Sequence, residues 1–94
     1  MREIERSTAF KRDTKREGKG PNLATLNAVL PEILADLSDD IPLPAKYQDH
    51  KLTGDWEGYR SCHIKPDLIL NYEKMDDIAL RLVRLGTHSE IYGW

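Results

Sequence analysis

The sequence lacks the features that would indicate a membrane protein or a disulfide-stabilised one. It contains one cysteine in 94 residues, so no disulfide can form within the chain. No apolar run approaches the length of a membrane span, and the first residues lack the apolar segment of a signal peptide. We therefore expect a cytoplasmic protein with no membrane partner.

An excess of positive charge is also missing, because the formal net charge is −2 at pH 7. Charge alone therefore gives no general reason to expect nucleic-acid binding. The basic residues are concentrated near the N-terminus, in the stretch KRDTKREGKG (11–20). A charge run of this kind is usually a solvated helix face, and the alternative is an edge that contacts phosphates.

The rest of the composition is that of a small folded domain. An apolar fraction of 39% and a charged fraction of 32% are ordinary for globular proteins. A chain of this length can bury one small core. We therefore predict a single domain over residues 1–94.

Two helices are predicted in the N-terminal half. The first extends from about Ala9 to Glu17, and Phe10 is nearly its only apolar residue, so we expect it to lie loosely on the core. The second begins after Asn22, which can cap it. Pro31 indicates either a kink or the start of a new helix at that point. The second helix has apolar residues at steps of three and four, as a buried helical face requires: Leu23, Leu26, Leu30, Ile33, Leu34 and Leu37.

Three strands are predicted in the C-terminal half, at Trp56–Ile64, Asp67–Glu73 and Ile78–Leu85. Both connections between them are short, so the strands should be antiparallel neighbours. Thr87 can cap a final short turn at His88–Tyr92. The predicted fold class is α+β, with two helices packed on one face of a small antiparallel sheet.

This arrangement brings several polar residues to one edge of the sheet. The first strand ends where the second begins, so His63 and Asp67 meet across the turn. The third strand ends beside the start of the second, which places His88 at the same edge. His50, in the connector before the first strand, is less constrained, although a long loop can bring it there.

Two histidines and a carboxylate at one edge suit general acid–base catalysis near neutral pH. Strand alternation places Arg84 on the same face as Leu80 and Leu82, near the strand end, where it could hold a phosphate. RNA cleavage needs a base for the ribose 2′-hydroxyl, a cation for the phosphorane and an acid for the leaving 5′-oxygen. The RNA supplies its own nucleophile, so we predict a site with no metal and no cofactor.

Other interpretations of these residues remain open. A zinc site that uses both Cys62 and His63 is disfavoured, because neighbouring residues on a strand point to opposite faces. The three histidines can also be unrelated surface or core residues. Trp56, Tyr59 and Tyr72 are interpreted as packing residues rather than as platforms for base stacking.

The C-terminal half resembles the YafQ-like toxins of the RelE/ParE superfamily. The resemblance covers residues 43–92 well and the N-terminal half more loosely. The residues on which it rests are Leu43, Pro44, Tyr47, Asp49, His50, Leu52, Gly54, Trp56, Gly58, Arg60, His63, Pro66, Asp67, Leu70, Tyr72, Arg84, Gly86, Thr87 and His88. It implies a RelE-like, microbial-ribonuclease-like fold and a type II toxin that cleaves translated mRNA in the ribosomal decoding site.

The resemblance also implies roles for individual residues. Asp67 or His63 would be the base and His88 the acid. His50 and Arg84 would position the substrate or stabilise charge. The residues to which the family's functions carry over are His50, His63, Asp67, His88 and, as an aromatic substrate contact, Tyr92, where family members commonly have Phe.

The partners that the resemblance implies are the ribosome, mRNA and a cognate antitoxin. The antitoxin would be a ribbon-helix-helix-like DNA-binding protein that wraps the toxin and blocks its site. The alternative is a non-catalytic or ParE-like member that binds an antitoxin or inhibits another target. ParE-like relatives lack this set of histidines, so the set favours the ribonuclease.

Overall fold

A computed structural model describes residues 1–93 of the chain. The helices are α1 (Thr8–Glu17), α2 (Leu23–Ser38) and α3 (His88–Tyr92), and the strands are β1 (Glu3–Arg6), β2 (His50–Lys51), β3 (Arg60–Lys65), β4 (Leu68–Met75) and β5 (Ala79–Gly86). The α+β class is confirmed. No helix in this part of the chain has the length and apolarity that crossing a membrane requires.

The five strands form one sheet in the order β1-β5-β4-β3-β2. Strands β3, β4 and β5 are antiparallel neighbours, as predicted. Strand β2, which was not predicted, pairs antiparallel with β3. The sheet as a whole is mixed, however, because β1 pairs in parallel with β5. A parallel pair needs a long connection, here most of the chain, so short turns in the sequence could not indicate it.

The segment before β3 differs from its prediction. The expected strand at Trp56–Ile64 begins only at Arg60, and Gly54–Trp56 forms a 3-10 turn. Gly54 and Gly58 have φ values of +68° and +94°, which end an extended strand at this point. The segment before this turn instead contributes the short strand β2 to the edge of the sheet.

The apolar core lies between the helices and one face of the sheet. Its buried members are Phe10, Leu26, Ile33, Leu37, Tyr47, Cys62, Ile64, Leu68, Leu70, Tyr72, Leu80, Leu82 and Leu85. Helix α2 continues through Pro31, and Asn22 is its N-cap residue, although the Asn22 side chain makes no capping hydrogen bond. The Asn22 side chain instead donates to Glu17 and accepts from Lys65. The predicted stripe is buried at its centre, whereas Leu23 is exposed.

A β-bulge in β5 changes the orientation of the residues that follow it. Tyr72 of β4 is opposite Leu82, whereas Asn71 is opposite Arg84, so Val83 is the extra residue. Arg84 therefore shares a face with Asn71, opposite the face that carries Leu82 and the apolar core. The prediction that it shares a face with Leu82 was wrong, because strict alternation does not continue through a bulge.

Helix α1 is held more firmly than its composition indicated. Phe10 is 2% exposed within the core, and the carboxylate of Asp13 is buried beside β5. Ser7 caps the helix by accepting a hydrogen bond from the N–H of Phe10. The expectation of a loosely packed helix was wrong, because polar contacts from its inner face supplement the single aromatic anchor.

We expect the substitution Phe10→Ala to lower the free energy of unfolding by about 3–5 kcal/mol, because it leaves a cavity beneath α1. Urea unfolding followed by circular dichroism measures the change. The matched control is Lys11→Ala, at an exposed position of the same helix, with an expected change within about 0.5 kcal/mol. Equal effects of the two substitutions would show that α1 contributes little to the core.

Candidate active site

The face of the sheet opposite α1 and α2 contains a cleft of about 540 Å³. Its lining residues are His50, Leu52, Thr53, Asp55, Trp56, Ser61, His63, Ile69, His88, Ile91 and Tyr92. Alternation along the strands explains this lining. On β3, Ser61 and His63 face the cleft while Cys62 and Ile64 enter the core.

Three imidazole rings lie next to one another in this cleft. The ring centroids of His50 and His63 are 6.0 Å apart, and those of His63 and His88 are 5.8 Å apart. His50 reaches the cleft because β2 places it opposite Ser61 on the neighbouring strand. The connector is therefore more constrained than the sequence indicated, and it brings His50 to the other two histidines.

Each of the three histidines has its Nδ1 beside a backbone or carboxylate oxygen. Nδ1 of His50 lies 2.7 Å from the carbonyl oxygen of Gln48, and Nδ1 of His63 lies 3.2 Å from that of Pro66. An oxygen of this kind can only accept a hydrogen bond, so Nδ1 carries the proton in each contact, and this fixes the tautomer. Nε2 is then the nitrogen at which these rings can exchange a proton.

Asp67 contacts His88 directly. Its Oδ1 accepts from Nδ1 of His88 at 2.9 Å and from the backbone N–H of His88 at 3.4 Å. These hydrogen bonds, with a smaller contribution from the charge of His63, hold the pKa of Asp67 below its ordinary value. Asp67 does not line the cleft, because it lies in the turn before β4 with its side chain 70% exposed.

Two aromatic rings form one wall of the cleft. Trp56 and Tyr92 are packed edge to face, with ring centroids 5.7 Å apart. The hydroxyl of Tyr92 accepts a hydrogen bond of 2.9 Å from Nδ2 of Asn71, which is fully buried beneath it. The interpretation of Trp56 as a packing residue missed its place in the cleft. The flanking glycines 54 and 58, which indicate a turn, are the signal that could have found it.

The connector that ends at His50 is fixed by a polar cluster. Asp49 accepts from the hydroxyl of Tyr72 and, at 3.1 Å, from Nη2 of Arg60. Burial, and next the hydrogen bond to Asp49, raise the pKa of Tyr72, so the phenol remains a donor. The cluster holds residue 49 against β3 and β4, and His50 follows it directly.

Arg84 lies outside the cleft lining. Its guanidinium donates to the buried carboxylate of Asp13 at 2.8 and 3.2 Å, and to the carbonyl oxygen of Glu90 at 3.3 Å. Burial alone would raise the pKa of Asp13, but hydrogen bonds from Arg84, the N–H of Leu85 and Arg16 outweigh it and lower the pKa. The structure thus places Arg84 behind α3 rather than beside the histidines.

Cys62 is separated from the histidines by the sheet itself. Its side chain is fully buried on the helix side, and burial raises the pKa of the thiol to about 12. The alternation that was expected to separate Cys62 from His63 is therefore present. Within residues 1–93, no group of three or more His, Cys, Asp or Glu side chains is arranged to hold a metal ion.

Comparisons with known proteins agree with this architecture. The family model of the bacterial YafQ toxins of type II toxin–antitoxin systems matches residues 2–93. The chain is 40% identical over 93 residues to the mRNA interferase toxin YafQ of Escherichia coli, covering 99% of this chain and 98% of that protein. Among solved structures, a copper-bound mutant toxin from Helicobacter pylori has a TM-score of 0.84 at 36% identity, covering 98% of this chain and all of that one (100%). A chain of the E. coli DinJ–YafQ complex has a TM-score of 0.78 at 37% identity, and the match covers 99% of this chain and 100% of that one.

The contact between Asp67 and His88 predicts a shifted titration. In wild type, the NMR titration midpoint of the Asp67 carboxyl should lie below the ordinary value of about 3.9. His88→Ala should raise it, whereas Ser89→Ala should not. Because the lower pKa is that of the folded state, the contact stabilises the fold above the unfolded pKa, and this contribution is lost as pH falls through the folded pKa. A midpoint that is unchanged in His88→Ala would contradict the contact.

The substitution Tyr92→Phe should lower the free energy of unfolding by about 1–3 kcal/mol, because it leaves the buried amide of Asn71 without an acceptor. Thermal or urea unfolding measures the change. The double variant Asn71→Leu with Tyr92→Phe is the control, since replacing both partners by apolar groups can be nearly neutral. The prediction fails if Tyr92→Phe is as stable as wild type.

Proposed function

Because the chain belongs to the YafQ family of bacterial type II toxin–antitoxin toxins, we propose that it is an endoribonuclease that cleaves mRNA in the three-histidine cleft. The observation that supports this most directly is the row of three imidazoles whose neighbouring ring centroids are 6.0 and 5.8 Å apart. Adjacent imidazoles can take opposite roles in proton transfer near neutral pH. The E. coli relative's name, mRNA interferase toxin, agrees with this substrate.

The proposed reaction is attack by the ribose 2′-oxygen on the adjacent phosphorus. A base removes the 2′-hydroxyl proton, the new P–O bond forms, and the bond from phosphorus to the 5′-oxygen breaks. An acid then protonates that leaving oxygen. The products are a 2′,3′-cyclic phosphate and a 5′-hydroxyl end. Because the nucleophile is the 2′-oxygen of the RNA itself, the reaction needs neither a water molecule nor a metal ion to supply one.

The geometry favours one assignment of roles over the other. Asp67 is a weak base because its pKa is lowered, and its carboxylate already accepts from His88. We therefore assign His63 as the base. His88 is the acid, because the bond from its Nδ1 to Asp67 orients the ring and leaves Nε2 to donate to the leaving oxygen.

The remaining cleft residues serve the substrate. We propose that His50, at the other end of the histidine row, stabilises charge on the phosphorane, and its ring centroid 6.0 Å from that of His63 supports this role. Trp56 and Tyr92 offer ring surfaces on which an RNA base can stack. Arg84 has no place in the cleft lining, so we propose that it acts through α3 and not by direct phosphate contact.

The proposed partners are those of a ribosome-dependent toxin. An antitoxin is proposed because the E. coli YafQ fold is known in a complex with DinJ. We also propose that cleavage depends on the ribosome and acts on mRNA during translation, so the site of action is the cytoplasm. The exposed basic residues of α1 provide phosphate contacts that the net charge of −2 does not exclude: Lys11, Arg12 and Lys15.

Loss of the acid should slow cleavage strongly. We expect His88→Ala to reduce the rate of mRNA cleavage on purified ribosomes by roughly 100- to 10,000-fold. Primer extension detects the new 5′ ends and gives the rate. Ser89→Ala, at the next and exposed position, is the matched control and should cleave as wild type does.

Three further arms of that experiment separate the alternatives. A 2′-deoxy nucleotide at the cleavage position should block the reaction, and EDTA should leave it unchanged. Omission of ribosomes should reduce it. A separate measurement in cells completes the test. Growth arrest that is equal on expression of wild type and His88→Ala, without new RNA ends, would refute the ribonuclease and support an inhibitor of another target.

A further inference from the structure

Helix α3 contributes three residues to the cleft lining, His88, Ile91 and Tyr92, but is too short to be stable alone. It has five residues, His88–Tyr92, whereas isolated helices much longer than this are marginal in water. A capping box between Thr87 and Glu90 satisfies its first turn. Only Ile91 of this helix is buried, so apolar packing alone does not fix its position.

Two arginines contact the outer side of α3 through one residue, Glu90. Nε of Arg16 is 2.8 Å from the Glu90 carboxylate, and Nη2 of Arg16 donates to the carbonyl oxygen of Leu85 at 2.8 Å. Nη2 of Arg84 lies 3.3 Å from the carbonyl oxygen of Glu90. One arginine comes from α1 and the other from β5, so α3 is tied to both elements.

A single buried carboxylate holds both arginines. Asp13 is 2% exposed, accepts from Arg16 at 2.9 Å and from Arg84 at 2.8 Å, and also accepts from the N–H of Leu85 at 2.9 Å. A buried carboxylate costs free energy unless it is paired and hydrogen-bonded, and this one is fully paired. The bond from the N–H of Leu85 attaches α1 to β5, and the same carboxylate also holds the two arginines that reach α3.

The sequence leaves room for this network at Gly86. A Cβ atom at this position would lie 2.7 Å from Nη2 of Arg16 and 3.0 Å from Oε1 of Glu90. The ion pair between Arg16 and Glu90 is thus packed against a residue that has no side chain. The network is a close-packed unit between α1, the end of β5 and α3.

We propose that Asp13 is a positioning residue for the active site: it holds Arg16 and Arg84 against Glu90 and thereby fixes α3 so that His88 meets Asp67. Asp13 touches neither the cleft nor the substrate. Its effect on cleavage rests on the proposed function, whereas its effect on the contact between Asp67 and His88 does not. Displacing a catalytic group by about 1 Å can reduce a rate roughly 100-fold, so an indirect role of this kind is measurable.

The main test is Asp13→Asn, which retains an acceptor for the N–H of Leu85 but removes the charge that holds the two arginines. We expect the NMR titration midpoint of Asp67 to rise toward its ordinary value and the cleavage rate to fall roughly 10- to 100-fold. Both are measured where circular dichroism shows a fully folded protein. Ile33→Val is the matched control, because it destabilises the core under α2 without touching the network. It should change neither quantity.

A second variant keeps the proposal testable if Asp13→Asn does not fold. Glu90→Gln retains the side-chain oxygen that caps α3 but loses the charge opposite Arg16, and it should shift the Asp67 midpoint in the same direction. Asp13→Glu should restore part of the wild-type midpoint, because it restores the charge. A folded Asp13→Asn or Glu90→Gln variant with the wild-type midpoint would overturn the proposal. If wild type does not cleave mRNA, the proposed function fails, while the midpoints still decide the role of Asp13.

Discussion

The alternation of side chains along β3 and β4 is the constraint on which the rest of the structure depends. One set of residues, including Cys62 and Leu70, packs against the helices, and the other set, including His63 and Ile69, lines the cleft. A shift of one residue would exchange the two sets, so the burial that stabilises the fold also selects which residues face the cleft. The register of these strands therefore determines both which residues are buried in the core and which residues form the site.

Two short segments outside the central strands depend on charged hydrogen bonds as well as on apolar packing. The connector before His50 is fixed by Asp49, which accepts from Arg60 and Tyr72. Helix α3 is tied down by the network around Asp13. Each of these carboxylates, Asp49 half-buried and Asp13 buried, accepts from at least one arginine and from one other donor. Polar bonds are directional, so they can fix a short segment at a defined angle where apolar contacts cannot.

Much of this arrangement could be predicted from the sequence because it depends on local patterns. Antiparallel neighbours follow from short turns, and they bring His63, Asp67 and His88 to one edge whatever their function. Other features depend on contacts between distant residues. The parallel pairing of β1 joins the two ends of the chain, and the bulge at Val83 depends on how β5 meets β4. The network around Asp13 uses charged residues of α1 that a sequence pattern assigns to a solvated face. The catalytic roles, the single domain over residues 1–94 and the partners remain predictions, and Trp94 lies outside the described residues.

The position of Asp67 has a consequence for repeated turnover under the proposed mechanism. An acid that gives up its proton in each reaction must regain one before the next. Asp67 is bonded to His88 yet lies outside the cleft lining, with its side chain 70% exposed to water. His88 therefore borders RNA on one side and a solvated carboxylate on the other. Because Nδ1 of His88 keeps its proton toward Asp67, the proton given up must come back to Nε2 on the RNA side, so recharging of the acid is coupled to product release.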